Sequence, residues 1–287
     1  MNHSTAVSGS NINWQKIVAK YAKTDNLKSA WQVVNTFVPL IALLTLMYFS
    51  LPQNTGWHPA TYLFTILLAV PTAGFLVRTF IIFHDAGHGS FFTSRTANKI
   101  IGWITGILTL TPFHFWTHDH AIHHATHGDL DRRGHGDVWT LTVDEYLELP
   151  WYRKLAYRLY RNPLFMFGIG AFLNFLIIQR IPTPKMSKKD VISIMATNAA
   201  LLGVVLLAHF TIGITTMLMI YVPIMWLASI VGVFLFYVQH QFEDAYWEKH
   251  DNWDFVDAAL RGSSYYELPR VLQWFSGNIG FHHIHHL

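Results

Sequence analysis

The sequence predicts an all-α integral membrane protein: four transmembrane helices in two hairpins, with a cytoplasmic helical cap carrying clustered histidines. Three observations predict it. Apolar residues fill 52 % of the 287 positions and charged residues only 13 %, against roughly 25 % charged in a soluble domain. No charged residue occurs from Ser29 to Val77, and none from Val191 to Phe242. Histidine is abundant, at 18 residues, and the histidines are bunched. Cysteine is absent, which excludes disulfides, thiolate metal sites and iron–sulfur clusters in this chain. The net charge of +3 is mild, and no nucleic-acid partner is expected.

Each uncharged block is longer than the ~20 residues that cross a bilayer, so each must turn back. The first divides into Trp31–Leu51 and Thr61–Phe83 around Pro52, Gly56 and Pro59. The second divides near Thr211–Thr216, giving Val191–Phe210 and Met217–Val238. Five regions follow: an interfacial N-terminal segment 1–30, hairpin 31–83, cap 84–190, hairpin 191–239 and C-terminal segment 240–287. The outer loops hold no Lys or Arg, whereas the middle segment holds twelve. By the positive-inside rule the tail, the cap and the C-terminus lie in the cytoplasm. That suits a bacterial inner (cell) membrane protein. Arg78 falls inside a span and is expected to snorkel.

Shorter stretches read as interfacial. Trp14, Ile17, Val18 and Tyr21 fall at helical spacing, a short amphipathic helix. Lys99–Phe113 is too short to span. Pro163–Ile181 carries Asn174 and Gln179, so it is expected in-plane or re-entrant.

The histidines form H-D-A-G-H (84–88), H-D-H-A-I-H-H (118–124) and H-H-I-H-H (282–286), with His240 near the end of the fourth span. On a helix, i and i+4 share a face, while i+3 and i+4 straddle the line through i at roughly −60° and +40°. The expectation is one patch per box: His84 with His88; His120, His123 and His124 together; His282, His285 and His286 together. His118 points elsewhere. With His240 these make nine imidazoles, a donor set for a dinuclear catalytic centre in which zinc, copper, iron and nickel are all acceptable. His3, His58, His114, His209 and His250 read as ordinary interfacial residues. His127, His135 and His283 read as outer partners or solvated groups. Asp85, Asp119, Glu243 and Asp244 adjoin candidate ligands and are candidates to accept their second ring N–H. Trp103, Trp116, Trp139 and Trp274 are candidates for an apolar slot. A metal transporter is disfavoured because the span centres lack acids and paired histidines.

The boxes resemble those of the membrane fatty-acid desaturases. G-D-L-D-R-R-G (128–134), G-D-V-W-T-L-T-V-D-E-Y (136–146), Y-R-N-P (160–163), F-Y-V-Q-H-Q-F-E-D (236–244), G-S-S-Y-Y-E-L-P (262–269) and L-Q-W-F-S-G-N-I-G-F (272–281) look like the bacterial acyl-lipid branch. The resemblance implies a non-haem di-iron centre of two Fe, O2 as co-substrate, and a cis double bond made in a fatty-acyl lipid, with delta-12/omega-6 placement the expected position. It implies as ligands His84, His88, His120, His123, His124, His282, His285 and His286, with His240 the ninth. A di-iron hydroxylase of acyl chains, alkanes or carotenoids is the rival. No dinucleotide fingerprint and no H-P-G-G of a fused cytochrome b5 is present, so an external ferredoxin-like donor is expected. Members continue past the third box, whereas this sequence stops at Leu287; a truncated or fragmentary chain with a loosely held third box is the expectation.

Overall fold

The computed structural model describes residues 14–52 and 59–287. The expectations for His3, His58 and the first outer loop fall outside the described residues. The described elements are helical, with two isolated β-bridges.

Helix α1 (Trp14–Val18) is shorter than the amphipathic stretch read from the sequence, and Trp14 stacks on Phe255 at 5.9 Å. Helix α2 (Asn26–Ser50) starts where the Asp25 carboxylate accepts the Leu27 and Lys28 amides, satisfying orphan donors of the first turn. Helix α3 (Pro59–Gly87) returns across the apolar layer. Helix α4 (Arg95–Leu108), capped by Ser94, has 14 residues, too few to span. It stops sooner than the stretch to Phe113 suggested, because Leu110 sits at φ 56° and Pro112 follows. Helix α5 (Phe113–Thr126) carries the second histidine group.

The cap continues through α6 (Val143–Glu148) and α7 (Trp151–Tyr160). A π-helical turn (Leu164–Gly170) and α8 (Ala171–Leu176) follow. This apolar stretch is bent by 69° against α7, so it forms no straight span. Helices α9 (Lys188–Thr211) and α10 (Ile214–His240) form the second hairpin, turned at Gly213, whose φ of 83° suits a residue without Cβ. Three short helices close the chain: α11 (Phe255–Gly262), α12 (Arg270–Phe275) and α13 (His282–His285).

Four helices, α2, α3, α9 and α10, are long and apolar enough to cross a membrane. Helix α3 is the central one. Its apolar window is 56 % buried against 17, 22 and 28 % for the others, because α2, α4 and α10 all pack on it. Met47, Ala73, Leu76, Ile224 and Met225 make the core between them. Hydroxyls in the spans donate to their own helix: Thr72 to the Leu68 carbonyl at 2.6 Å and Ser229 to that of Met225 at 2.6 Å. Lipid offers no other partner.

Arg78 does not snorkel. It is 7 % exposed; its Nε donates to Thr36 Oγ1 at 3.1 Å, its Nη1 donates to the Trp274 carbonyl, and it lies 3.8 Å over the Trp274 ring. The cation pins α12 to the span. The chain then turns at Gly277 (φ 58°) and Asn278 (φ 62°) to enter the third box. That box is braced from upstream: the Tyr266 amide donates to the Gly280 carbonyl at 2.8 Å and the His283 amide to that of Ser264 at 3.3 Å. The loosely held turn expected from the sequence is instead tied to residues 264–266.

A Cβ on Gly280 would collide with the Tyr266 carbonyl oxygen, whereas one on Gly203 meets nothing within 4 Å. Gly280→Ala should therefore cost about 1–3 kcal/mol of overpacking at the third box. Thermal unfolding in detergent should show a lowered midpoint for Gly280→Ala and none for Gly203→Ala; equal midpoints would refute the brace.

Candidate metal centre

Three helices end at one spot. The last turn of α3 delivers His84 and, just beyond it, His88; α10 ends on His240; α13 brings the third box. Helix α5 crosses beside them, tied to α9 by Asp190, whose buried carboxylate meets His114 Nδ1 at 3.3 Å and His118 Nδ1 at 3.2 Å. His118 thus points away from the centre, as its helical angle requires.

The expected grouping of one patch per box is corrected by the structure. Two clusters form, and the second and third boxes are shared between them. In the first, His120 Nε2 lies 3.2 Å from His84 Nε2, 3.1 Å from His88 Nε2 and 3.1 Å from His124 Nε2. His285 joins it, its ring 4.7 Å from those of His84 and His124. In the second, His123 Nε2 is 3.1 Å from His240 Nε2, which is 2.9 Å from His282 Nε2; His286 Nε2 is 3.1 Å from that of His282. The i,i+4 pairs stay together on one helical face. His123 and His285, roughly 60° round the helix from His120 and His282 and roughly 100° from His124 and His286, cross to the other cluster.

These contacts fit a cation. A neutral ring nitrogen has either one proton or one lone pair, so His120 Nε2 can satisfy one neighbour, not three. Two nitrogens about 2.1 Å from a common metal lie about 3 Å apart, the spacing seen. His285 Nε2 is buried with no hydrogen-bond partner. Burial, then the charge of neighbouring histidines, pushes His120, His282, His285 and His286 down from the ordinary imidazole range, and takes His88 to about 4. At neutral pH these rings are free to donate lone pairs.

Outer partners orient the clustered rings. His84 Nδ1 meets Asp85 Oδ1 at 3.0 Å, as the sequence allowed. His123 Nδ1 meets Asp137 Oδ1 at 2.9 Å, and the Gly134 amide donates to the other carboxylate oxygen at 2.9 Å. Burial works against the Asp137 charge, yet the His123 contacts and the amide keep its carboxyl below its ordinary range. Asp137 escaped the sequence reading because it lies in a loop 14 residues from its partner; only the G-D-V-W string marked it. Asp119 pairs with His135 at 3.2 Å rather than with a ligand. Glu243 and Asp244 line a cavity beside His240. His127 is an outer partner: buried, its Nε2 2.7 Å from the Gly262 carbonyl and 3.2 Å from His240 Nδ1. His250 pairs with Asp129 at 2.9 Å, and His209 lies exposed in the last turn of α9. His283 packs its ring 5.9 Å from that of Tyr265.

Aromatic rings of α5 and α3 pack against the first cluster. Trp116 stacks on His120 at 4.2 Å and meets Phe83 at 4.9 Å and Phe80 at 5.7 Å. Trp103 packs behind it in the same apolar cluster. Trp139 instead packs on Tyr157, and Trp274 on Arg78.

Residues 55–287 match the family model described as fatty acid desaturase. The chain is 46 % identical over 272 residues to a fatty acid desaturase of Bacillus subtilis, covering 95 % of this chain and 75 % of that one. It is 30 % identical over 279 residues to a probable fatty acid desaturase of Sorghum bicolor, covering 91 % and 66 %. Over 196 residues it is 30 % identical to an sn-1 acyl-lipid omega-3 desaturase (ferredoxin) of Synechocystis, covering 63 % and 51 %.

Loss of an outer carboxylate typically weakens metal affinity about 10- to 100-fold. Asp137→Ala should therefore lose metal to a chelator at concentrations that His135→Ala and His118→Ala withstand. Metal analysis after graded chelation checks this; identical retention by all three would remove Asp137 from the site.

Proposed function

The chain belongs to the fatty acid desaturase family, and on that premise we propose that it is an O2-dependent acyl-lipid desaturase inserting a cis double bond at a di-iron centre. The observation that carries this reading is the pair of histidine clusters joined by shared boxes. His84, His88, His120, His124 and His285 would hold one iron; His123, His240, His282 and His286 would hold the other. All-nitrogen donors with no thiolate suit iron in a redox role. Bound iron with O2 would supply an oxidant strong enough for unactivated methylene C–H bonds, which no side chain can attack.

The chain's own residues do the rest. Asp137 and Asp85 accept hydrogen bonds from the Nδ1–H groups of His123 and His84, fixing which nitrogen faces inward. Trp116, Phe80 and Phe83 exclude water from the bilayer side of the first cluster and offer an apolar surface to a hydrocarbon chain. Regioselectivity depends on which carbon pair is held against the clusters.

The clusters lie at the ends of α3 and α10, the end of the spans from which the Lys- and Arg-rich cap extends. By the charge rule that side is cytoplasmic, in a bacterial cell membrane. Electrons then come from a separate small acidic protein, ferredoxin-like, docking on that basic face.

The test is expression of the full-length gene in a host lacking unsaturated fatty acids. Membrane lipids should acquire acyl chains short of two hydrogens, in protein that carries about two irons per chain. Double-bond mapping then tests the delta-12/omega-6 placement. Products that gain an oxygen instead would make the protein a hydroxylase, and turnover with zinc alone would remove the di-iron claim.

A further inference from the structure

Two motifs far apart in the sequence meet beside the second cluster. Y-R-N-P (160–163) ends α7, and Q-H-Q-F-E-D (239–244) ends α10. Arg161 Nη1 donates to Gln241 Oε1 at 2.8 Å, and the Arg161 guanidinium lies 5.5 Å over the Tyr237 ring. Both partners are neutral, and among the described residues no carboxylate comes within 4.0 Å of that guanidinium. Asp244, at φ 63°, turns the chain sharply after α10. The result is a cavity of about 370 Å³ lined by Arg161, Tyr237, Gln241, Glu243, Asp244 and Trp247. His240, a residue of the second cluster, also lines it.

The chemistry of this cavity has two signs. A guanidinium with only neutral partners is ready to donate hydrogen bonds to a phosphate. Two exposed carboxylates, Glu243 and Asp244, with the Trp247 ring, suit an ammonium. Its location sets the third requirement. It lies at the end of the α10 span, where the chain also leaves Arg161 for the apolar turn led by Leu164, which is 83 % exposed. A ligand with a zwitterionic head and an apolar tail meets all three. The size lies within the ~300–1,000 Å³ of small-molecule sites.

We propose that this cavity binds the phosphate–ammonium headgroup of a zwitterionic glycerophospholipid, phosphate on Arg161 and ammonium on Glu243 and Asp244, and so selects the lipid class whose acyl chain reaches the clusters. The proposal rests on the desaturase reading for its purpose, but the binding itself does not.

Metal-loaded wild-type protein in detergent is offered phosphatidylethanolamine, phosphatidylglycerol and phosphatidic acid in equal amounts, and retained lipid is counted by native mass spectrometry. Phosphatidylethanolamine should be retained over both anionic lipids. The Glu243→Gln/Asp244→Asn double variant should lower its ratio to phosphatidylglycerol about three-fold, as expected for exposed charge contacts, and Arg161→Gln should weaken all three. Equal retention of the three lipids by the wild type overturns the proposal, with no variant required. In cells, the same double variant should shift new double bonds toward anionic lipids; an unchanged class distribution at wild-type iron content also overturns it. A wild type that keeps the lipid preference but makes no double bond would refute the desaturase reading and leave the headgroup site standing.

Discussion

An imidazole nitrogen carries one lone pair or one proton, and that constraint governs this molecule. Nine such rings are gathered where neighbouring nitrogens stand about 3 Å apart, too crowded for hydrogen bonds alone to satisfy them. A cation in each cluster would resolve the crowding. Keeping the rings neutral and inward-facing requires burial, and burial requires that the helices which carry them end together. Hence α3 and α10 terminate on clustered histidines, and α5 is held across them by Asp190.

Sharing of boxes has a mechanical consequence. His120 and His123 sit on one helix yet serve different clusters, and so do His285 and His286. A shift of α5 or α13 therefore moves both clusters at once. Two devices steady the third box: Arg78, buried against Trp274, and the close approach of Gly280 to Tyr266. A buried cation in a span usually marks function; here its partners are Thr36 and a carbonyl, so it works as an anchor.

The spans, their pairing and the gathering of the nine histidines were legible because each rests on a local pattern: uncharged length, turn residues, and i,i+4 spacing. The division of those histidines between two clusters was not. Helical angles place His123 and His124 on either side of His120, but whether a partner ring waits on each side depends on α10 and α13, which no local spacing reports. Asp137 was hidden for the same reason, as a loop residue defined by a tertiary contact. Arg78 was misread because snorkelling is the rule for an isolated span, and the docking of α12 supplies a carbonyl nearer than water. The fate of Trp139 and Trp274 shows that aromatic content alone does not locate a substrate slot.

The central claim is that each H-x-x-H-H box bridges two metal sites. Mössbauer spectra of iron-loaded single variants test it most directly. His123→Ala and His282→Ala come from different boxes but the same cluster, so both should retain iron in the first cluster and give the same residual spectrum. His120→Ala, a box-mate of His123, should give a different one. If His120→Ala and His123→Ala share a spectrum that His282→Ala lacks, each box holds its own metal and the bridged arrangement is contradicted.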